Sequence, residues 1–248
     1  MKRVGLTVAA SLAVFVFVLL FNLPANWIRR WLPTSVGCGD LAGTVWRGEC
    51  AAFSIGGGPP LGTLAWNISP WRIVIARAVG TVSLAGRDLA ASASLALRFS
   101  GDGEISNLRL RLPLDPAIVS AVPANIRGVA SADIRRLELR NGKLAALTGV
   151  VETSELRDVG SAAMPLGDYA VTFDGDVAAD GSLTGELVDR GGPLSVRATL
   201  QLTPEPGYLL RGVVSARAEA AAHLQRQLEM LGPPDGNGQR QFALEGTF

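Results

Sequence analysis

Few residues of this 248-residue chain have the type and spacing to do chemistry, and the candidates point to a cross-link rather than a reaction. Its two cysteines, Cys38 and Cys50, bracket Gly43-Thr44-Val45-Trp46-Arg47-Gly48, a stretch short enough to fold back so that the thiols face each other. They lack the close-set pairs and the histidines of a zinc site, since the sole histidine, His223, lies far along the chain. A disulfide closing this loop would contribute ~2 to 3 kcal/mol and persists only in an oxidising compartment. Two unrelated buried thiols are the alternative. A Ser-His-acid or Cys-His arrangement would have to recruit His223, and no nucleophile elbow of the form G-x-S-x-G precedes a helix. Gly56-Gly57-Gly58-Pro59-Pro60 lacks the lysine and the following helix of a phosphate loop, so it reads as a hairpin connection. Asp174, Asp176 and Asp180 cluster in a turn region without the remaining ligands of an EF-hand; solvated turn aspartates are the default and calcium ligation the alternative. No catalytic, cofactor or metal residue is assigned, and no enzyme is expected.

The elements that would carry these residues begin with an apolar run. From Val4 to Leu23 there is no charged side chain, and a helix of that length is ~30 Å long, one bilayer core. Leu23-Pro24-Ala25 is a poor cleavage signature, so residues 4–23 read as a retained transmembrane helix rather than a signal peptide, with residues 1–3 as a cytoplasmic tail. Residues 24–32 form an interfacial segment in which Trp27 and Trp31, with Arg29 and Arg30 between them, suit an aromatic and snorkelling belt. Those arginines nearly balance Lys2, Arg3 and the amino terminus, so orientation rests on the cysteine pair. It places residues 33–248 outside the cytoplasm, in a bacterial periplasm if the source is Gram-negative.

Composition narrows the class of that body. A net charge of +1 provides no electrostatic footprint for nucleic acid. Abundant glycine (29 residues) with few aromatics (6%) suits many short strands and tight turns. The dominant pattern has period two: Ala91, Ala93, Leu95, Leu97 and Phe99; Leu108, Leu110 and Leu112; Tyr169, Val171 and Phe173; Leu194, Val196, Ala198, Leu200 and Leu202. Each reads as a strand with one apolar and one wet face, the mark of an antiparallel sheet. Asn141-Gly142 predicts a type I′ hairpin that sets Leu139 opposite Leu144. Ile134 and Leu137 are out of phase across Arg135-Arg136, which predicts a bulge. Gly-Thr-apolar repeats at Gly43, Gly62 and Gly80 fit an up-and-down meander. Two segments predict short helices: Asp115 to Val122, with an N-cap acid, Pro116 at its first position and Pro123 closing it, and Ala218 to Leu231, with His223 beside its apolar stripe.

Leu41-Ala42-Gly43-Thr44-Val45-Trp46-Arg47-Gly48, then Leu61-Gly62-Thr63-Leu64-Ala65-Trp66 with Pro70-Trp71, resemble the amino-terminal half of protein N of the bacterial type II secretion system. Leu166-Gly167-Asp168-Tyr169, Gly181 to Leu187, Asp189-Arg190-Gly191-Gly192-Pro193-Leu194 and Gly232-Pro233-Pro234-Asp235 resemble its second half. The resemblance implies a bitopic inner-membrane component whose periplasmic region helps connect the inner-membrane platform to the outer-membrane secretin. The cysteine pair is not demanded by it.

The expected fold is mainly β: one N-terminal transmembrane helix, then a long, twisted, mostly antiparallel sheet of ~12 to 16 strands, curled or folded over, with two short helices. Two functional classes follow. One is a non-enzymatic secretion component that binds partners through strand edges. The other is a periplasmic lipid-binding or lipid-transfer module similar to the AsmA-like proteins, with a lipid on the apolar face. A third, an outer-membrane barrel suggested by Phe242, Leu244 and Phe248 on one face of a last strand, is set aside because a retained anchor would hold the chain in the inner membrane.

Overall fold

The computed structural model describes residues 11, 15, 18–30, 32–73, 76–98, 100–119, 122–160, 164–204 and 207–247. Residues 18–21 are helical, and a 3-10 helix follows at Ala25–Arg30. No helix of the described residues is long and apolar enough to cross a membrane, and most of the expected span at 4–23 lies outside them.

The body is a single antiparallel sheet of fourteen strands. β1 (Val36–Gly37) and β2 (Asp40–Gly43) both pair with β3 (Arg47–Ile55), so they form one edge interrupted at Cys38 and Gly39. From β3 the chain runs as a meander, each strand pairing with the next: β4 (Gly62–Ile68), β5 (Arg77–Ala85), β6 (Ala90–Arg98), β7 (Gly103–Pro113), β8 (Ile126–Arg140) and β9 (Lys143–Asp158). The second half continues through β10 (Met164–Asp176), β11 (Leu183–Gly191), β12 (Leu194–Thr203), β13 (Gly207–Ala216) and β14 (Arg240–Thr247). Among the described residues β14 is paired on one side only, so the sheet is open.

Period-two alternation becomes one continuous apolar face because the register aligns it strand by strand. One row crosses the whole sheet as Leu41, Cys50, Leu64, Leu84, Ala91, Leu110, Ala132, Val151, Val171, Leu187, Ala198, Gly212 and Phe242. The adjacent row, on the opposite face, includes Glu49, Ser83, Ser92, Arg109, Asp133, Thr172, Glu186, Thr199 and Arg211. A slip of one residue would exchange the two faces, so the apolar row specifies the register. Asn141 and Gly142 adopt φ of 52° and 73° and place Leu139 opposite Leu144, as the hairpin signal predicts. The expected bulge falls on Arg135, where Ile134 pairs with Gly149 and Arg136 with Thr148. Ala52 and Asn107, with φ of 51° and 52°, mark two further bulges that the alternation did not reveal.

The densest packing lies mid-sheet, where Ile134, Leu147, Phe173 and Leu183 are buried and Leu108, Leu137, Leu200 and Leu202 pack against them. Among the described residues no large side chain falls below 2% exposure. The accessible surface of 15992 Å² is about half again the ~10,500 Å² of a compact monomer of this size. Both observations fit a single layer whose apolar face is only partly covered.

The two helices expected from sequence fare differently. At Asp115 to Val122 the described residues make a turn: Asp115 Oδ1 accepts the Ala117 N–H at 2.9 Å, and the Ile118 and Val119 N–H groups close back on the Asp115 carbonyl at 2.9 and 2.8 Å. Pro116 and Pro123 leave fewer than two turns between them, too short to offset helix nucleation. The second helix is shorter than expected, Ala222–Glu229, because Ala218 to Ala220 form a turn and the N-cap position, Ala221, has no side-chain acceptor. A one-turn helix at Pro70–Ile73 was not expected.

Candidate functional site: an apolar trough beside the N-terminal helix

The apolar face deepens into a trough at the β2 to β5 end. Leu41, Cys50, Phe53, Leu64, Trp66, Ile68 and Val82 form its floor; Ile28 of the 3-10 helix and Leu32 just beyond it close over it, with Val36 and Cys38 at its flank. It encloses about 240 Å³, and among the described residues no charged side chain lines it. The ring of Trp66 lies across Gly48 on β3, where a Cβ would stand 2.5 Å from Cζ2, and its Nε1–H donates to the Val45 carbonyl at 3.0 Å. Gly48 and Trp66 are directly opposed, so the glycine is what lets the indole lie flat.

The same corner receives the N-terminal helix. Trp46 Nε1–H donates to the Leu20 carbonyl at 2.7 Å, the Val45 N–H to the Leu23 carbonyl at 2.9 Å, and Pro24 bridges to Thr44. The rings of Phe21 and Trp71 meet at 5.1 Å between centroids. Beyond the interfacial role expected of 24–32, Ile28 and Leu32, linked by the Leu32 N–H to the Ile28 carbonyl at 3.1 Å, cover the sheet; their apolar type and spacing were the signal for it. Trp27 is 65% exposed and Arg29 is exposed, while the side chains of Arg30 and Trp31 lie outside the described residues.

Cys38 and Cys50 line the trough with their sulfurs joined, S–S 2.06 Å and Cα–Cα 5.7 Å, fastening the interrupted edge to β3. That this bridge forms in the cell is a proposal with a direct check. Maleimide should label neither cysteine in intact cells before reduction, and Cys38→Ser should lower stability by up to ~3 kcal/mol in urea titration. Quantitative labelling without reductant would remove both the bridge and the orientation argument.

The other candidates do not converge. Asp174 and Asp176 lie exposed on β10, and Asp180, in the next turn, accepts the Ser182 N–H at 2.9 Å and its hydroxyl at 2.7 Å, which hold its carboxyl below the usual range. Among the described residues no three acids, histidines or cysteines are grouped to hold a metal ion. His223 is half-buried beside the stripe of its helix, whose Leu224 is buried, and among the described residues its Nε2 has no hydrogen-bond partner.

One polar constellation that sequence reasoning missed joins β11 to β12 and β13 at the opposite end of the strands. Asp189 accepts the Val196 N–H at 2.9 Å and the Ser195 hydroxyl at 3.3 Å, and pairs with Arg217, which also donates to the Gly192 carbonyl at 2.9 Å. Burial pushes the Asp189 carboxyl up, but these partners outweigh it and hold it below the usual carboxylate range. Burial pushes the nearby Tyr169 phenol up, and the Asp189 charge adds to that; its hydroxyl donates to the Leu166 carbonyl at 2.7 Å.

Fold and trough together define a single-sheet β protein that leaves an apolar face available for binding. The family model of type II secretion system protein N matches residues 34–243, and the chain belongs to that family. It is thereby a component of type II protein secretion. No curated protein and no solved structure matches it.

Proposed function

We propose that the protein is a non-enzymatic, single-pass inner-membrane component of the type II secretion system, held by residues 4–23 with its amino terminus in the cytoplasm. Its periplasmic sheet links the inner-membrane platform to the outer-membrane secretin. The observation that carries this reading is the placement of the two ends of the sheet. The N-terminal helix is docked at β2 to β5, while β14, paired on one side only among the described residues, lies nine to twelve strands along, a path of roughly 40 to 60 Å through the sheet at ~4.8 Å per strand. An unpaired edge offers backbone donors and acceptors to a partner strand.

Deleting the gene should impair export of folded substrates or secretin assembly, and alkaline phosphatase fused after Phe248 should be active. His223→Ala should restore the deletion strain fully. An inactive fusion would overturn the topology, and normal export in the deletion strain would overturn the connector role. The apolar trough favours a second reading, a lipid-binding module. Phospholipid co-purifying with the full chain, together with unimpaired secretin assembly in the deletion strain, would select it instead.

A further inference from the structure

We propose that the rim of the sheet beside the N-terminal helix is a docking surface for anionic phospholipid headgroups, so that the sheet rests on the bilayer as well as being tethered to it. This inference rests on the membrane anchoring proposed above.

The rim is built by the strand ends and turns that face the same way as the β4 to β5 connection. Trp71, in that connection, touches Phe21 of the N-terminal helix and is still 63% exposed. Arg72 follows it, and the ends of β5, β6 and β8 bring Arg77, Arg98 and Arg140 around one shallow groove of about 540 Å³ on the polar face. Arg77 and Arg98 are directly opposed. Lys143, opposite Arg140 across the hairpin, adds a fifth cation. All five are exposed.

Like charges directly opposed on neighbouring strands are unfavourable unless something neutralises them. Asp102, Glu104 and Glu138 share the groove and offset part of this charge: the Asp102 carboxylate feels Arg98 and Arg140, and Glu138 takes up Arg140. Asp102 accepts the Asn141 N–H at 3.1 Å and the Ser100 hydroxyl at 2.9 Å, joining two hairpins. Glu104 lies 3.8 Å from Arg136, and Glu138 pairs with Arg136 and Arg140. Among the described residues Arg72, Arg77 and Arg98 form no ion pair. Three guanidiniums outside any ion pair among the described residues and an exposed indole, beside the helix proposed as the anchor, match the chemistry of a phosphate-bearing interface. The distal part of this rim carries Asp174, Asp176 and Asp180, so the basic character is confined to the anchor side.

The test uses the full chain reconstituted in nanodiscs of phosphatidylcholine alone or with about one third phosphatidylglycerol. Lys143 is one of two lysines, so its acylation by an amine reagent, resolved by peptide mass spectrometry, reports rim access. The expected result is labelling about fivefold slower in anionic discs, abolished by high salt and by Arg72→Gln/Arg77→Gln/Arg98→Gln, and restored by lysine at the same three positions. Circular dichroism checks that each variant is folded. Equal labelling in both discs, with the protein incorporated in both, overturns the docking surface alone. Failure to incorporate into either disc overturns the anchor and the docking surface together.

Discussion

Phe173→Ala is expected to lower the unfolding free energy by ~3 kcal/mol, the largest effect of any single truncation in the sheet. Phe173 is 4% exposed and belongs to the buried cluster with Ile134, Leu147 and Leu183. Its neighbours across the strands are Gly149 on β9 and Gly185 on β11, so its ring has no facing side chain on either side and lies over glycine instead. A Cβ on Gly185 would stand 2.6 Å from the ring, and one on Gly149 would stand 2.6 Å from the Asp133 carbonyl and 2.8 Å from Ile134 Cδ1. Ile134 and Phe173 therefore roof both glycines, and removing the ring leaves a void that rigid strands cannot collapse into. Leu244→Ala, at a site 55% exposed, should cost under ~1 kcal/mol. Urea titration of the full chain in mild detergent measures both. A Phe173→Ala midpoint within experimental error of the parent would show that the sheet derives no stability from this row.

Asp189→Asn is expected to cost ~2 kcal/mol at neutral pH, because it removes the charge-assisted bond to Arg217 at a side chain only 12% exposed. The pH dependence separates this from a packing effect. The folded carboxyl lies below its ordinary value, so the stability it contributes is complete above pH ~4 and is lost as pH falls through the folded value, where the unfolded chain already binds the proton. The gap between parent and variant should therefore narrow on acidification to pH ~3. A gap of constant size would mean that the pair with Arg217 contributes nothing through its charge.

The sequence alone determined what is local. Alternation of apolar and polar residues set the strands and their two faces, Asn141-Gly142 set its hairpin, and the broken phase between Ile134 and Leu137 set the bulge at Arg135. The glycine and tryptophan placements around Gly43 to Trp66 carried the family before any coordinate. Local signals failed where they were short: an N-cap acid and a proline at Asp115-Pro116 describe a helix start, yet the described residues that follow form a turn. Tertiary structure alone decided which distant residues meet. Neither Trp66 over Gly48, Phe173 between Gly149 and Gly185, nor Asp189 with Arg217 is legible in a one-dimensional pattern. Nor is the gathering of Arg72, Arg77, Arg98 and Arg140 at one rim. Each depends on the register of several strands at once, and every turn length and bulge between two residues shifts that register by whole residues, exchanging one face for the other. Period two says that a residue faces a side; only the summed register says what it faces there.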